Sequence, residues 1–70
     1  MRVRQDLMLT YAASKALNGA NIHQGRALIA AYQNAVDVAC DRRVHGNARL
    51  AAVSHVARCE DALRSMVGGR

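Results

Sequence analysis

The sequence predicts an all-α protein, an antiparallel helical hairpin preceded by a short N-terminal helix. Three observations predict it. The chain has no proline in 70 residues, so nothing in it forbids a helix interior. Alanine, the strongest helix former, recurs throughout. Apolar residues return at three- and four-residue spacings, and four of the five glycines fall where helices should start or stop.

The first helix is expected over residues 6–18. Leu9, Ala13, Ala16, Leu17 and Ala20 follow the spacing of one helical face. Asp6 stands at its start, where a carboxylate accepts from free backbone N–H groups and faces the positive end of the dipole. Asn18 and Gly19 read as a left-handed stop. Asn21, with Gln24 three residues on, has the form of a capping box for a second helix. That helix is expected from Ile22 to about Arg43, with Gly25 as a weak point inside it. Arg42 and Arg43 then fall in its last turn, where cations complement the dipole. Val44, His45 and Gly46 form the turn, with Gly46 left-handed. Asn47 caps a third helix from Ala48 to about Val67, whose inner face is Ala52, Val53, Val56, Cys59, Leu63, Met66 and Val67. Residues 1–5 read as a mobile basic arm carrying Arg2 and Arg4, and residues 68–70 as a frayed tail. The whole, residues 1–70, is one domain.

The second helix has a wide apolar arc. Ile22, Ile29, Tyr32, Val36 and Cys40 form one stripe, assigned to the hairpin interior. Leu28, Ala31, Ala35 and Val38 form a flatter one, assigned to a dimer or partner contact; the alternative is that the first helix covers it. A second copy is expected because the core is light. The chain has no Phe, no Trp and two Tyr, and alanine makes up much of its apolar content. A chain this short buries too little surface to be stable with ease. A two-fold homodimer is the simplest remedy.

The formal charge of +5 draws the chain toward acidic surfaces or merely keeps it soluble. Cys40 and Cys59 are too few for a disulfide framework and are expected as free, buried thiols, which suits a reducing cytoplasm. The apolar stretch around Leu7–Ala13 is short for a signal peptide, and no stretch is long enough to span a membrane.

No set of residues calls for chemistry. His55 and Cys59 lie i, i+4 on a helix, but His23, His45 and Cys40 fall elsewhere on the hairpin, so no four-ligand metal site converges. Ser54 and His55 point about 100° apart around the helix and cannot share a proton. The five carboxylates include no pair set apart in an apolar setting, and no glycine-rich phosphate loop is present. Neither a catalytic residue nor a cofactor is expected. Nucleic acid or a nucleotide is the alternative partner, through a basic tip of Arg42, Arg43, His45 and Arg49. Against it, Asp37 and Asp41 sit one turn back. The favoured reading is a protein-binding module that inhibits or modulates its partner, contacted through Arg26, Leu28, Tyr32, Ala35 and Val38, residue types that include interface anchors.

In size, composition and architecture, the alanine- and arginine-rich stretch Asn21–Val67 with its basic N-terminal arm resembles small accessory proteins encoded by bacteriophages. Some of these are dimers that cap a host regulator, as anti-activators of quorum-sensing receptors do. The resemblance implies a regulatory protein of a bacterial host as the partner. It carries no residue-by-residue correspondence.

Overall fold

The computed structural model describes residues 3–68 and is all-helical there: α1 (Leu7–Lys15), α2 (Ile22–Cys40) and α3 (Asn47–Gly68). Helix α1 starts where the sequence places it. The Asp6 carboxylate accepts from Leu9 N–H at 3.0 Å, satisfying a donor with no partner inside the helix. It ends earlier than expected, at Lys15 with Ala16 as cap.

The link to α2 departs from the expected caps for an identifiable reason. The Asn21 Oδ1 accepts from Asn18 N–H at 2.7 Å, while the Asn18 Oδ1 accepts from Ala20 N–H at 2.8 Å. These bonds close a tight Asx-type turn. They consume the Asn21 side chain, so it makes no cap to α2 and the expected capping box does not form. Nor is Gly19 left-handed; among the described residues Gly46 alone has a positive φ, of 65°.

Helix α2 also stops short of its expected end. The Asp41 carboxylate accepts from Arg43 N–H at 2.9 Å, two residues on, and Val44 N–H bonds to Asp41 O. Asp41 thus offers the backbone a turn that competes with another helical turn. Arg42 and Arg43 consequently lie in the turn and not on the helix. Gly46 then delivers the chain into α3, its carbonyl accepting from Arg49 and Leu50 N–H. A left-handed alanine costs about 1–2 kcal/mol, and a Cβ on Gly46 would meet no neighbour within 4 Å to offset that. Gly46→Ala is therefore expected to lower the stability by that free energy, read in urea as a lower midpoint at unchanged slope; an unaltered midpoint would mean that the turn adopts another conformation.

The core is one cluster contributed by all three helices: Leu9 and Ala13 of α1; Tyr32, Ala35, Val36 and Ala39 of α2; Ala52, Val56, Cys59 and Leu63 of α3. Four of these ten are alanines, so Tyr32 and Leu63, each 0% exposed, carry much of the buried volume. Val3, Leu28, Ile29, Val53 and Met66 close the edges. The largest contact is between α2 and α3, where Tyr32 meets Glu60 and Gly25 lies beside Met66. Helix α1 packs on both.

Three expectations are corrected. Cys40 is exposed, its thiol 3.2 Å from the Val3 carbonyl oxygen. Val67 is 38% exposed, because the last turn of α3 runs past the end of the core. Within the expected mobile arm, Val3 packs on the core and Asp6 N–H bonds to the Tyr32 hydroxyl at 2.6 Å. The chain before α1 is thus docked from Val3 onward. Arg2 and residues 69–70 lie outside the described residues.

Candidate functional site

The residues singled out from sequence separate into buried and exposed groups. Of the expected contact set, Tyr32 and Ala35 belong to the core and are unavailable to a partner. Ala35 lies one helical turn from both Tyr32 and Ala39 and joins them in the core cluster to which all three helices contribute. Leu28 is half-buried at the core edge, whereas Arg26 and Val38 stay exposed, Val38 at 42%.

The basic residues of the α2–α3 turn are close together but largely committed. Arg43 places Nε 3.1 Å and Nη2 3.0 Å from the two Asp41 carboxylate oxygens, a two-pronged pair. The guanidinium holds the Asp41 carboxyl below its usual range, and the carboxylate raises Arg43 in turn. Arg49 donates to the Val44 carbonyl at 3.2 Å, and the His45 ring Nδ1 lies 3.1 Å from the Arg43 carbonyl oxygen. Arg42 is exposed and forms no ion pair among the described residues. The arrangement shapes a turn in which Asp41 neutralises Arg43, while Arg42 and Arg49 keep their charge, Arg49 half-buried.

A second polar node lies inside. The Tyr32 hydroxyl donates to Glu60 Oε2 at 2.8 Å and accepts from Asp6 N–H, so one side chain of α2 ties α3 to the segment leading into α1. Burial pushes the phenol above its ordinary value of 10.0, and the Glu60 carboxylate adds to that shift. Glu60 also lines a cleft of about 200 Å³ with Val3, Arg4, Val53, Val56 and Ala57. The Asp6 carboxylate nearby adds a smaller upward push on the phenol but is engaged at Leu9 N–H, and the node reads as a structural tie. His55 Nε2 lies 3.9 Å from the buried Cys59 Sγ, a long, weak contact one helical turn apart. No group of three or more metal-ligating side chains occurs among the described residues, and none of the helices described is long and apolar enough to cross a membrane.

The feature not singled out from sequence is the outer face of α1. Leu7, Met8 and Tyr11 are 70%, 79% and 61% exposed, and Lys15 holds its Nζ 5.2 Å above the Tyr11 ring. On a helix of 3.6 residues per turn, Leu7 and Tyr11 lie about 40° apart and on the far side from Leu9. The signal was present in the sequence. Leu9 and Ala13 already supply the inner face, so Leu7, Met8 and Tyr11 form a second apolar patch on the outer side of α1, among Thr10, Ser14 and Lys15.

No protein-family model, curated protein or solved structure matches this chain. Its function is therefore read from its own residues.

Proposed function

We propose that this chain is a non-enzymatic, cytoplasmic protein-binding module that inhibits or modulates a regulatory protein of a bacterial host. The observation that carries this reading is the trio Leu7, Met8 and Tyr11, held outside on a helix whose other face is already in the core. A domain with four alanines among its ten core side chains leaves six large apolar ones in water among the described residues, and three of them share the short helix α1. Such a surface is normally covered by a partner. Two of the three types, Tyr and Met, are enriched at interfaces.

The α2–α3 pair acts as an antiparallel hairpin scaffold, and the small outer residues of α2, Ala31 beside Val38, serve a two-fold dimer. The alternative, nucleic acid or a nucleotide at the α2–α3 turn, has less support. Arg43 and Arg49 are held by Asp41 and the Val44 carbonyl.

A tagged pull-down from nuclease-treated bacterial lysate, read by mass spectrometry, tests the reading. One stoichiometric protein is expected in the eluate. Nucleic acid captured without nuclease, and no protein captured with it, would transfer the function to the turn. Salt separates the two further. Phosphate-driven binding falls steeply with ionic strength, and Arg42→Ala flattens that slope.

A further inference from the structure

Resting on the protein-binding reading, we infer that the outer face of α1 is the partner site and that its partner is an acidic amphipathic segment of another protein. Leu7, Met8 and Tyr11 would receive its apolar side chains, and Arg4 and Lys15 its carboxylates.

The charges select the occupant. Arg4 precedes the trio and Lys15 follows it, and neither forms an ion pair among the described residues. No carboxylate faces outward from α1. Asp6 is half-buried, and its carboxylate is engaged at Leu9 N–H. The nearest acids of α3, Glu60 and Asp61, are paired with Arg64. The face is thus apolar with cations at both ends, and complementarity calls for an apolar surface with anions at both ends.

A second copy of the chain fits poorly. Two α1 helices packed about a two-fold axis set Arg4 against Lys15 if antiparallel and each cation against its own copy if parallel, so like charges meet either way. A stable dimer also needs about 800 Å² from each protomer. That is a large part of a total surface of 5162 Å², and three side chains cannot supply it. A single amphipathic segment reading anchors at i, i+1 and i+4 needs far less. Lys15 is already poised over the Tyr11 ring, so one cation is held in place before binding. The cleft beside Arg4 is lined by Val3, Val53, Val56, Ala57 and Glu60; the Glu60 carboxylate keeps the acidic end of the partner on the Arg4 side and out of the cleft.

The test uses a displayed library of random helical peptides selected on the full chain. Two variants are compared: Leu7→Gln/Met8→Gln/Tyr11→Gln, which removes the apolar face at constant charge, and Arg4→Gln/Lys15→Gln, which removes the cations at constant apolar area. All five positions are exposed, so unchanged helicity is expected and is checked by circular dichroism. The expected binders carry apolar residues at helical spacing and an excess of Asp and Glu. They should lose roughly tenfold or more in affinity on the first variant and several-fold on the second. Binders with no acidic bias, or binders indifferent to the first variant, overturn the inference. So does sedimentation as a dimer that the first variant dissociates, since the face then belongs to a second copy. Binding to phosphatidylglycerol vesicles that the first variant abolishes, with no peptide selected, overturns it in favour of a lipid surface. The lysate pull-down repeated with the first variant keeps the two readings apart. A partner retained by the variant sinks this site and leaves the protein-binding reading standing; no partner for either chain sinks that reading itself.

Discussion

Replacing Tyr32 with alanine will abolish the cooperative thermal transition of the chain, as followed by far-UV circular dichroism. Tyr32 is 0% exposed and, with Leu63, is the largest side chain wholly inside. Removing a buried aromatic costs about 3–5 kcal/mol, and a single core in a domain this small rarely supplies more than about 3–5 kcal/mol. The loss is of the same size as the whole. The core has little with which to refill the space, because four of its ten side chains are alanines. A variant that keeps a sharp transition within a few degrees of the wild type would show that the core does not depend on this residue.

Tyr32→Phe separates the volume from the hydroxyl. Phenylalanine keeps the ring but leaves Asp6 N–H without its acceptor and Glu60 without its donor. The expected cost is about 1–2 kcal/mol near neutral pH. The pH dependence identifies the group. Burial, with Glu60 adding to it, raises the folded-state pKa of Tyr32 above 10.0, so the folded chain holds this proton more tightly than the unfolded one. The resulting stability is fully present below pH 10.0 and is lost as pH rises through the raised value. The advantage of the wild type over Tyr32→Phe should therefore shrink in alkali. A gap that stays constant would mean that the hydroxyl is solvated and the tie between α3 and the segment before α1 is absent.

The parts of this fold that were legible in the sequence are those set by spacing. Leu9 and Ala13, Tyr32 and Val36, and Val56, Cys59 and Leu63 recur at three, four or seven residues, and each set lies in the core. What spacing does not fix is where a helix yields to its own side chains. Asp41 ends α2 three residues before the expected Arg43 because its carboxylate bonds to a backbone N–H two residues on, a choice open to any Asp near a helix end. Asn21 looks the same whether it caps forward or bonds back to Asn18. The candidate surface was misplaced for a related reason. Spacing divides the wide arc of α2 into two stripes but does not say whether α1 or a partner covers the second; in the fold Ala35 of that stripe lies in the core cluster with Leu9 and Ala13 of α1. An inner face of Leu9 and Ala13 accounts for α1 only in part: helical spacing puts Leu7 and Tyr11 about 160° from Leu9 and Met8 about 100° from it, outside that face.

Gly25 shows how a residue that looks like a flaw in a helix can be a packing requirement, and Gly25→Val is expected to destabilise the chain by about 1–3 kcal/mol. From the sequence, a glycine inside α2 is a loss of about 1 kcal/mol against alanine. In the fold it is buried, and the chain leaving α1 presses against it. A Cβ at this position would overlap Leu17 Cδ2 and stand 3.3 Å from Met66 Sδ. Alanine asks only that the end of the half-buried Leu17 side chain rotate away, and the gain in helix propensity offsets much of that, so Gly25→Ala should lie near neutral. Valine is different, because its two methyl groups are fixed by a stiff χ1 and cannot both avoid Leu17 and Met66. Combining Gly25→Val with Leu17→Ala opens the space and should recover part of the loss, a coupling of about 0.5–3 kcal/mol in a double-mutant cycle. Strict additivity would place Leu17 elsewhere and detach the α1–α2 link from this helix. Coupling would show that the absent side chain is what lets α1 dock, and so what holds Leu7, Met8 and Tyr11 outward.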